Sequence, residues 1–106
     1  MVRICFDEVW NTITTLQGHE FQTKSGTKFQ YALENKGISI SPEEEKVGHH
    51  INENNFFKAY QYMNQYMVSA PDDLDSVARH KGESRVEGAS FIWAILNDKR
   101  VLERIY

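Results

Sequence analysis

Apolar residues follow two different spacings along the chain, and the change from one to the other divides it into predicted elements. Near the N-terminus they recur every three or four positions, which is typical of one buried helical face. The residues on that face are Phe6, Val9, Trp10, Ile13 and Leu16. Gly18 is expected to end this first helix as its C-terminal cap.

Beyond Gly18 the spacing becomes two, which predicts antiparallel strands with one buried and one exposed face. The residues on the buried face are Phe21, Thr23, Phe29, Tyr31, Leu33, Ile38 and Ile40. Turns are expected at 25–26 and at 35–37, the second as a three-residue loop with Gly37 in the left-handed conformation. Pro42 is expected to end the third strand, and residues 43–50 to form an exposed connector.

Helical spacing returns in the second half of the chain. Asn52 is expected to cap a helix at its N-terminus. The apolar stripe of that helix is Phe56, Tyr60, Met63 and Met67. A further helix is predicted from Pro71, and another over the apolar run 91–96, with residues 101–105 as a last helical turn or tail.

These elements predict an α+β fold in one domain that spans residues 1–106. The expected order is α-β-β-β-α-α-α, with a three-stranded antiparallel meander packed against N-terminal and C-terminal helices. The chain has 106 residues, 41% hydrophobic and 25% charged, and these values match an average globular domain. Such a chain can bury a core without a disulfide or a metal ion.

Composition also narrows the function classes. The apolar runs are too short to span a bilayer, and the N-terminus lacks the apolar core of a signal peptide, so a cytoplasmic location without membrane contact is expected. Cys5, the only cysteine, is expected to be a reduced thiol without a catalytic role. The net charge of −3 argues against a chain coated in basic charge.

Basic residues nevertheless lead in the C-terminal part, where "RHKGESRVEGASFIWAIL" precedes and enters a predicted helix. A helix start with basic side chains upstream is suited to binding a phosphate or carboxylate. The candidate anion-binding residues are Arg79, His80, Lys81, Arg85, Ser90, Lys99 and Arg100. The alternative is a solvated connector in which Ser90 only caps the helix.

The Tyr/Met-rich helix is the second candidate surface. Its candidate interface residues, for a protein partner or a homodimer, are Tyr60, Tyr62, Met63, Tyr66 and Met67. Tyrosine suits a half-exposed interface, and it suits base stacking when basic residues lie alongside. This helix carries only Lys58, which favours a protein partner over a nucleic acid. The alternative is that most of these rings belong to the core.

Catalytic and metal-binding patterns are weak. His49 and His50 are adjacent, so in an extended segment they point to opposite sides and do not share a metal ion. We identify no catalytic residues and expect no cofactor and no metal. An enzyme acting on a phosphorylated or carboxylated small molecule at the 88–90 helix start remains a third hypothesis.

Three stretches, "FQTKSGTKFQY", "INENNFFKAY" and "GASFIWAILNDKRV", resemble a family of small bacterial proteins of unassigned function. That family has a Phe-x-Thr-x-x-Gly-x-x-Phe-x-Tyr hairpin and a Gly-x-Ser-Phe-Ile-Trp-Ala helix that ends near Asp-x-Arg. The resemblance implies no activity. It implies a recurring unit composed of Gly88, Ser90, Trp93, Asp98 and Arg100, in which Asp98 and Arg100 either pair to end the helix or contact a ligand.

The first functional hypothesis is therefore a small non-enzymatic bacterial binding module. It would contact nucleic acid through a C-terminal basic surface. A protein-interaction or homodimerisation module that uses the Tyr/Met-rich helix is the second, and the enzyme is the third.

Overall fold

A computed structural model describes residues 6–43, 48–66, 68–84 and 86–105, and for 103–105 only the backbone. In these residues the helices are α1 (Phe6–Thr15), α2 (Glu53–Gln65), α3 (Pro71–His80), α4 (Ala89–Leu96) and α5 (Lys99–Ile105). The strands are β1 (Phe21–Gln22), β2 (Lys28–Glu34), β3 (Gly37–Pro42) and β4 (His49–Asn52). They form an antiparallel sheet in the order β1-β2-β3-β4. The predicted α+β class is confirmed.

In the described residues the sheet has four strands, one more than the three that the sequence predicted. β4 begins in the predicted exposed connector, with His49 and His50, and continues through Ile51 to the predicted cap residue Asn52. It pairs with β3 through Ile38 and Ile51. Ile51 is buried, whereas His49 and His50 on the same strand are exposed. A short edge strand with one apolar position has no alternating pattern, so the sequence alone did not indicate it.

The turn between β2 and β3 is tighter than predicted. Glu34 pairs with Gly37, so the loop has two residues, and both of them, Asn35 and Lys36, have positive φ angles. This is the geometry of a primed hairpin turn. Gly37 lies in β3, where a side chain would collide with the backbone of Ile51 on β4. The glycine is therefore needed for a close strand approach and not for the turn.

From residue 89 onward the structure has two separate helices, α4 and α5, where one helix followed by a last helical turn or tail was predicted. α4 ends at Leu96, and the Asn97 side-chain amide donates to the carbonyl of Trp93 (3.0 Å). Asp98 then accepts a hydrogen bond from the backbone N–H of Arg100 (2.9 Å). These side-chain bonds occupy backbone groups at the junction, so α5 starts as a separate helix.

The core lies between the inner face of the sheet and the helices. Its largest buried side chains are Tyr31, Tyr62, Phe29, Phe56, Ile13, Ile38, Ile40, Leu74, Ile92, Ile95 and Leu96. The Tyr31 hydroxyl donates to the carbonyl of Ile13 (2.5 Å), which joins β2 to α1. Burial raises the pKa of Tyr31 far above its usual range. Leu33, predicted to be buried, is 45% exposed because it lies beyond the covered part of β2.

Of two residues expected to cap helices, Asn52 at α2 and Ser90 at α4, only Asn52 does so. The Asn52 side-chain oxygen accepts the backbone N–H of Asn55 (2.9 Å), so Asn52 caps α2 as predicted. At α4 the cap position is Gly88, in the left-handed conformation with φ of 70° and without a side-chain cap bond. Ser90 lies inside the first turn of α4 and does not cap it.

None of the helices in the described residues is long and apolar enough to cross a membrane.

Candidate functional site

The predicted anion-binding residues fall into separate places. Arg79 and His80 form the last turn of α3 and Lys81 is its C-terminal cap, whereas Lys99 and Arg100 begin α5. Arg85 lies outside the described residues. The basic residues on α3 and α5 contact different neighbours and do not form one continuous group.

Arg100 serves the fold. Its guanidinium donates two hydrogen bonds to the Asp98 carboxylate (2.8 and 2.9 Å) and one to the carbonyl of Glu20 (3.0 Å). It also lies 4.4 Å from the centroid of the Phe21 ring. The Arg100 hydrogen bond holds the pKa of Asp98 below its usual range. The predicted pairing of Asp98 with Arg100 is thus present at the junction between α4 and α5. The bond of Arg100 to Glu20 and its contact with Phe21 fasten α5 to β1.

Lys81 has a different environment, because it meets the ring of Tyr62 on α2 and that of Tyr66, the C-terminal cap of α2. Its ammonium nitrogen lies 5.5 Å from the Tyr62 ring centroid and 5.9 Å from that of Tyr66. The two rings contact each other edge to face at 6.5 Å. The same nitrogen lies 3.5 Å from a carboxylate oxygen of Glu83. The fold therefore joins one residue of the predicted anion loop to two residues of the predicted partner interface.

Tyr62 and Tyr66 differ in exposure and in hydrogen bonding. Tyr62 is 2% exposed, and its hydroxyl donates to the Glu83 carboxylate (3.0 Å). Burial, reinforced by Glu83, raises the pKa of Tyr62 to about 12. Tyr66 is 39% exposed. We call this group of residues, Tyr62, Tyr66, Lys81 and Glu83, the Tyr66–Lys81 surface; Tyr62 is its fixed floor and Tyr66 its accessible ring.

Two further cations from the same part of the chain differ in where they are directed. The Lys58 ammonium donates to the carbonyl of Ser84 (3.0 Å), which places it beside the loop that carries Glu83. Arg79 instead donates to the Ser76 hydroxyl (3.4 Å) and lines a shallow cavity of about 430 Å³ with Asp72 and Asp75. Two carboxylates next to Arg79 weaken its attraction for an anion. Lys58 therefore supports the Tyr66–Lys81 surface more directly than Arg79 does.

The predicted partner interface is not one exposed stripe. α2 buries Phe56, Ala59 and Tyr62, so its inner face is rotated from the predicted one towards the small Ala59. Tyr60 and Met63 are half-buried against the core, and among the predicted residues that the structure describes only Tyr66 is exposed. Met67 lies outside the described residues. Because Tyr62 is buried, its ring is not accessible to a partner protein. The spacing of residues along α2 did not predict this burial.

A second aromatic group was missed by the sequence reasoning. Phe57 is 40% exposed, and its ring contacts that of Phe6 on α1 at 5.1 Å. Phe6 also contacts Tyr60 at 5.8 Å and Trp10 at 6.0 Å. We call Phe6, Trp10, Phe57 and Tyr60 the α1–α2 aromatic surface. One signal was available, since Phe57 is an apolar residue next to the buried Phe56 and outside the predicted stripe.

The third predicted location, the start of α4, has a polar groove. Ser90 is exposed and lines a groove of about 330 Å³ with Thr23, Lys24, Ser25 and Asp72, among others. The Lys24 ammonium donates to the carbonyl of Ser69 (3.2 Å) and lies 5.6 Å from the Trp93 ring centroid. This groove is open and contains no histidine among its described lining residues.

The histidines and other metal-ligating residues are dispersed. The Nε2 of His50 donates a hydrogen bond to the backbone carbonyl of Glu34 (3.0 Å), and the centroid of the His49 ring lies 5.7 Å from that of Phe91. Within the described ranges, no three His, Cys, Asp or Glu side chains are grouped as a metal ion would need. Cys5 lies outside those ranges.

Comparisons with known proteins find no matching family model, no matching curated protein and no matching solved structure. The resemblance to a family of small bacterial proteins therefore stays a prediction. Within this fold, most residues of the quoted hairpin have a structural role: Phe21 stacks on Phe29 at 5.8 Å, and Thr23 accepts the backbone N–H of Thr27 at 3.0 Å.

Proposed function

We propose that this protein is a small binding module that contacts single-stranded nucleic acid through the Tyr66–Lys81 surface. The observation that carries the proposal is the position of the Lys81 ammonium, 5.9 Å from the centroid of the Tyr66 ring, which is 39% exposed. An exposed ring can stack on a base while the neighbouring cation contacts a phosphate. Lys81 thus adds a second cation to Lys58, the one basic residue that α2 itself carries.

Single strands suit this surface better than duplexes do. Stacking on Tyr66 requires a base whose face is free, and a paired base within a helix does not offer one. The surface has two nearby ammonium groups, Lys81 and Lys58, and the chain has a net charge of −3. Few phosphates are then neutralised, so we expect weak and moderately salt-dependent binding.

Glu83 competes with the nucleic acid for Lys81. The two side chains are 35% and 43% exposed, and their charged atoms are 3.5 Å apart, so the pair is screened by water and contributes little. A phosphate can therefore displace the carboxylate from Lys81 at small cost. Glu83 still orients the surface because its carboxylate accepts a hydrogen bond from the Tyr62 hydroxyl.

The test is a fluorescence-anisotropy titration of labelled single-stranded RNA and DNA, with a duplex for comparison. We expect Tyr66→Ala to weaken binding about tenfold, the effect of one lost stacking contact. Lys81→Ala should also weaken binding and reduce the slope of log K against log salt by about 0.7, the share of one phosphate contact in a single strand.

Two matched controls are available. Phe57→Ala removes a ring of nearly the same exposure, 40% against 39%, and Lys99→Ala removes an exposed lysine of α5. Both should bind like the unchanged protein. The proposal fails if neither single strand binds at low salt, or if the controls weaken binding as much as the Tyr66 and Lys81 variants do.

A further inference from the structure

We propose that the α1–α2 aromatic surface binds a protein segment that presents an apolar side chain flanked by lysine or arginine. This inference concerns a second site, and it does not depend on the binding of nucleic acid at the Tyr66–Lys81 surface. It rests on the geometry of the rings and on the charges beside them.

The rings form a ready docking place for an apolar side chain. Phe57 is 40% exposed, and Phe6 meets it edge to face at 5.1 Å with an interplanar angle of 63°. Trp10 packs against the buried Phe56 at 5.4 Å, which ties the group to the core. Rings that are already held in place lose little freedom on binding, and aromatic anchors of this kind supply much of the binding energy of interfaces.

Acidic residues lie next to these rings. Asp7 precedes Trp10 by one helical turn on α1, and Glu53 precedes Phe57 by one turn on α2, so each carboxylate adjoins an aromatic residue on its helix surface. α1 has no lysine or arginine.

The nearest described cations leave this acidic charge in excess. Lys58, the only basic residue of α2, is hydrogen-bonded to the carbonyl of Ser84. Lys36 adjoins Glu53 through a backbone hydrogen bond between the Glu53 N–H and the Lys36 carbonyl (2.9 Å). Lys36 offsets one of the two carboxylates at most. Charge complementarity therefore selects a basic partner.

The same charges argue against other occupants. A twofold-symmetric dimer would place this surface against its own copy, so that like carboxylates would face each other across the contact. Phosphates of a nucleic acid would be repelled in the same way. A basic segment with an apolar anchor satisfies both the rings and the carboxylates.

The probe is a labelled synthetic amphipathic peptide with leucine on its apolar face and lysine on its polar face. It is titrated with the full chain, and binding is followed by fluorescence anisotropy. A second peptide with glutamate in place of every lysine keeps the apolar pattern and reverses the charge. We expect the basic peptide to bind and the acidic peptide to bind at least about tenfold more weakly. Sedimentation of the protein alone should give a monomer.

Three variants locate the contact. Phe57→Ser should weaken the basic peptide about fivefold or more, as expected for a central anchor, and the double variant Asp7→Asn, Glu53→Gln should weaken it as well. Leu33→Ser is the matched control, because Leu33 is a similarly exposed apolar residue, 45% against 40%, on β2. Circular dichroism and thermal melting check that each variant is folded.

Several results would overturn the inference. They are no binding of the basic peptide at millimolar concentration, equal binding of both peptides, an effect of Leu33→Ser as large as that of Phe57→Ser, and a dimer that Phe57→Ser dissociates. Tyr66→Ala should leave peptide binding unchanged, so this inference and the nucleic-acid proposal can fail separately.

Discussion

The two ends of α2 each expose an aromatic side chain, and the two side chains lie in opposite electrostatic settings. Phe57 lies near the start of α2, and Tyr66, nine positions later, is the C-terminal cap of the same helix. Their exposures are nearly equal, 40% and 39%. Tyr66 lies beside Lys81. Phe57 instead lies one turn after Glu53 on α2, and its ring contacts that of Phe6, the residue next to Asp7. An exposed ring thus gains its binding preference from the neighbours that other elements supply.

Helix direction explains the difference in charge. Asp7 and Glu53 occupy the first turns of α1 and α2, where carboxylates stabilise the helix, and the basic residues at Arg79 and His80 occupy the last turn of α3. The α1–α2 aromatic surface lies near two helix starts, and the Tyr66–Lys81 surface lies near two helix ends. Charges that first stabilise helices therefore also distinguish the two surfaces.

The largest expected effect comes from removing the floor of one surface. Tyr62→Ala deletes a buried ring and the hydroxyl bond to Glu83, and it should lower the free energy of unfolding by about 3–5 kcal/mol. Nucleic-acid binding should fall while the folded fraction still binds the basic peptide. Urea unfolding measures the first change and parallel titrations the second. Equal loss of both binding activities in folded protein would show that the two surfaces are not independent.

An intermediate effect is expected at alkaline pH. The folded-state pKa of Tyr62 is raised to about 12, above its unfolded value of about 10. The stability that Tyr62 contributes is therefore complete below the unfolded pKa and is lost as the pH rises through the folded pKa. Phenylalanine has no hydroxyl to ionise. When the pH is raised from about 10 to about 12, the free energy of unfolding of Tyr62→Phe, measured by urea titration, should therefore fall less than that of the unchanged protein. Identical pH profiles would contradict the assignment.

The smallest effect should come from Glu83→Gln. The glutamine side-chain oxygen can still accept a hydrogen bond from the Tyr62 hydroxyl. The variant has no carboxylate at this position, so nothing there competes with a phosphate for Lys81. Exposed ion pairs contribute about 0.2–1 kcal/mol, so nucleic-acid binding should strengthen by about 1.4- to 5-fold. Peptide binding at the α1–α2 aromatic surface should not change. Weaker nucleic-acid binding would mean that Glu83 supports the contact and does not oppose it.

Much of the fold follows from local patterns in the sequence. The helical spacing that starts at Phe6, the alternation from Phe21 to Ile40 and the cap at Asn52 each correspond to an element of the structure. β4 was missed because its stability comes from pairing with β3 and from one buried residue, Ile51. That is a long-range contact, which short windows of sequence do not record.

The candidate sites were harder to predict than the fold. Exposure along α2 depends on which face other elements cover, and burial of Tyr62 and exposure of Phe57 could not be deduced from their spacing. Arg100 was grouped with the ligand-binding cations, yet it binds Asp98 and the carbonyl of Glu20. The contact of Lys81 with Tyr66 joins residues from separate elements. Such contacts are set by tertiary packing, so residue type alone does not assign them.

The central claim is that one side of α2 binds single-stranded nucleic acid and the other does not. The most direct measurement is a two-dimensional amide NMR titration of the isotope-labelled protein with a short single-stranded RNA. The account predicts shifts for residues 62–66 and 81–84, and unchanged signals for residues 6–10 and 53–57. Shifts concentrated on the second group, or none at all at low salt, would contradict it.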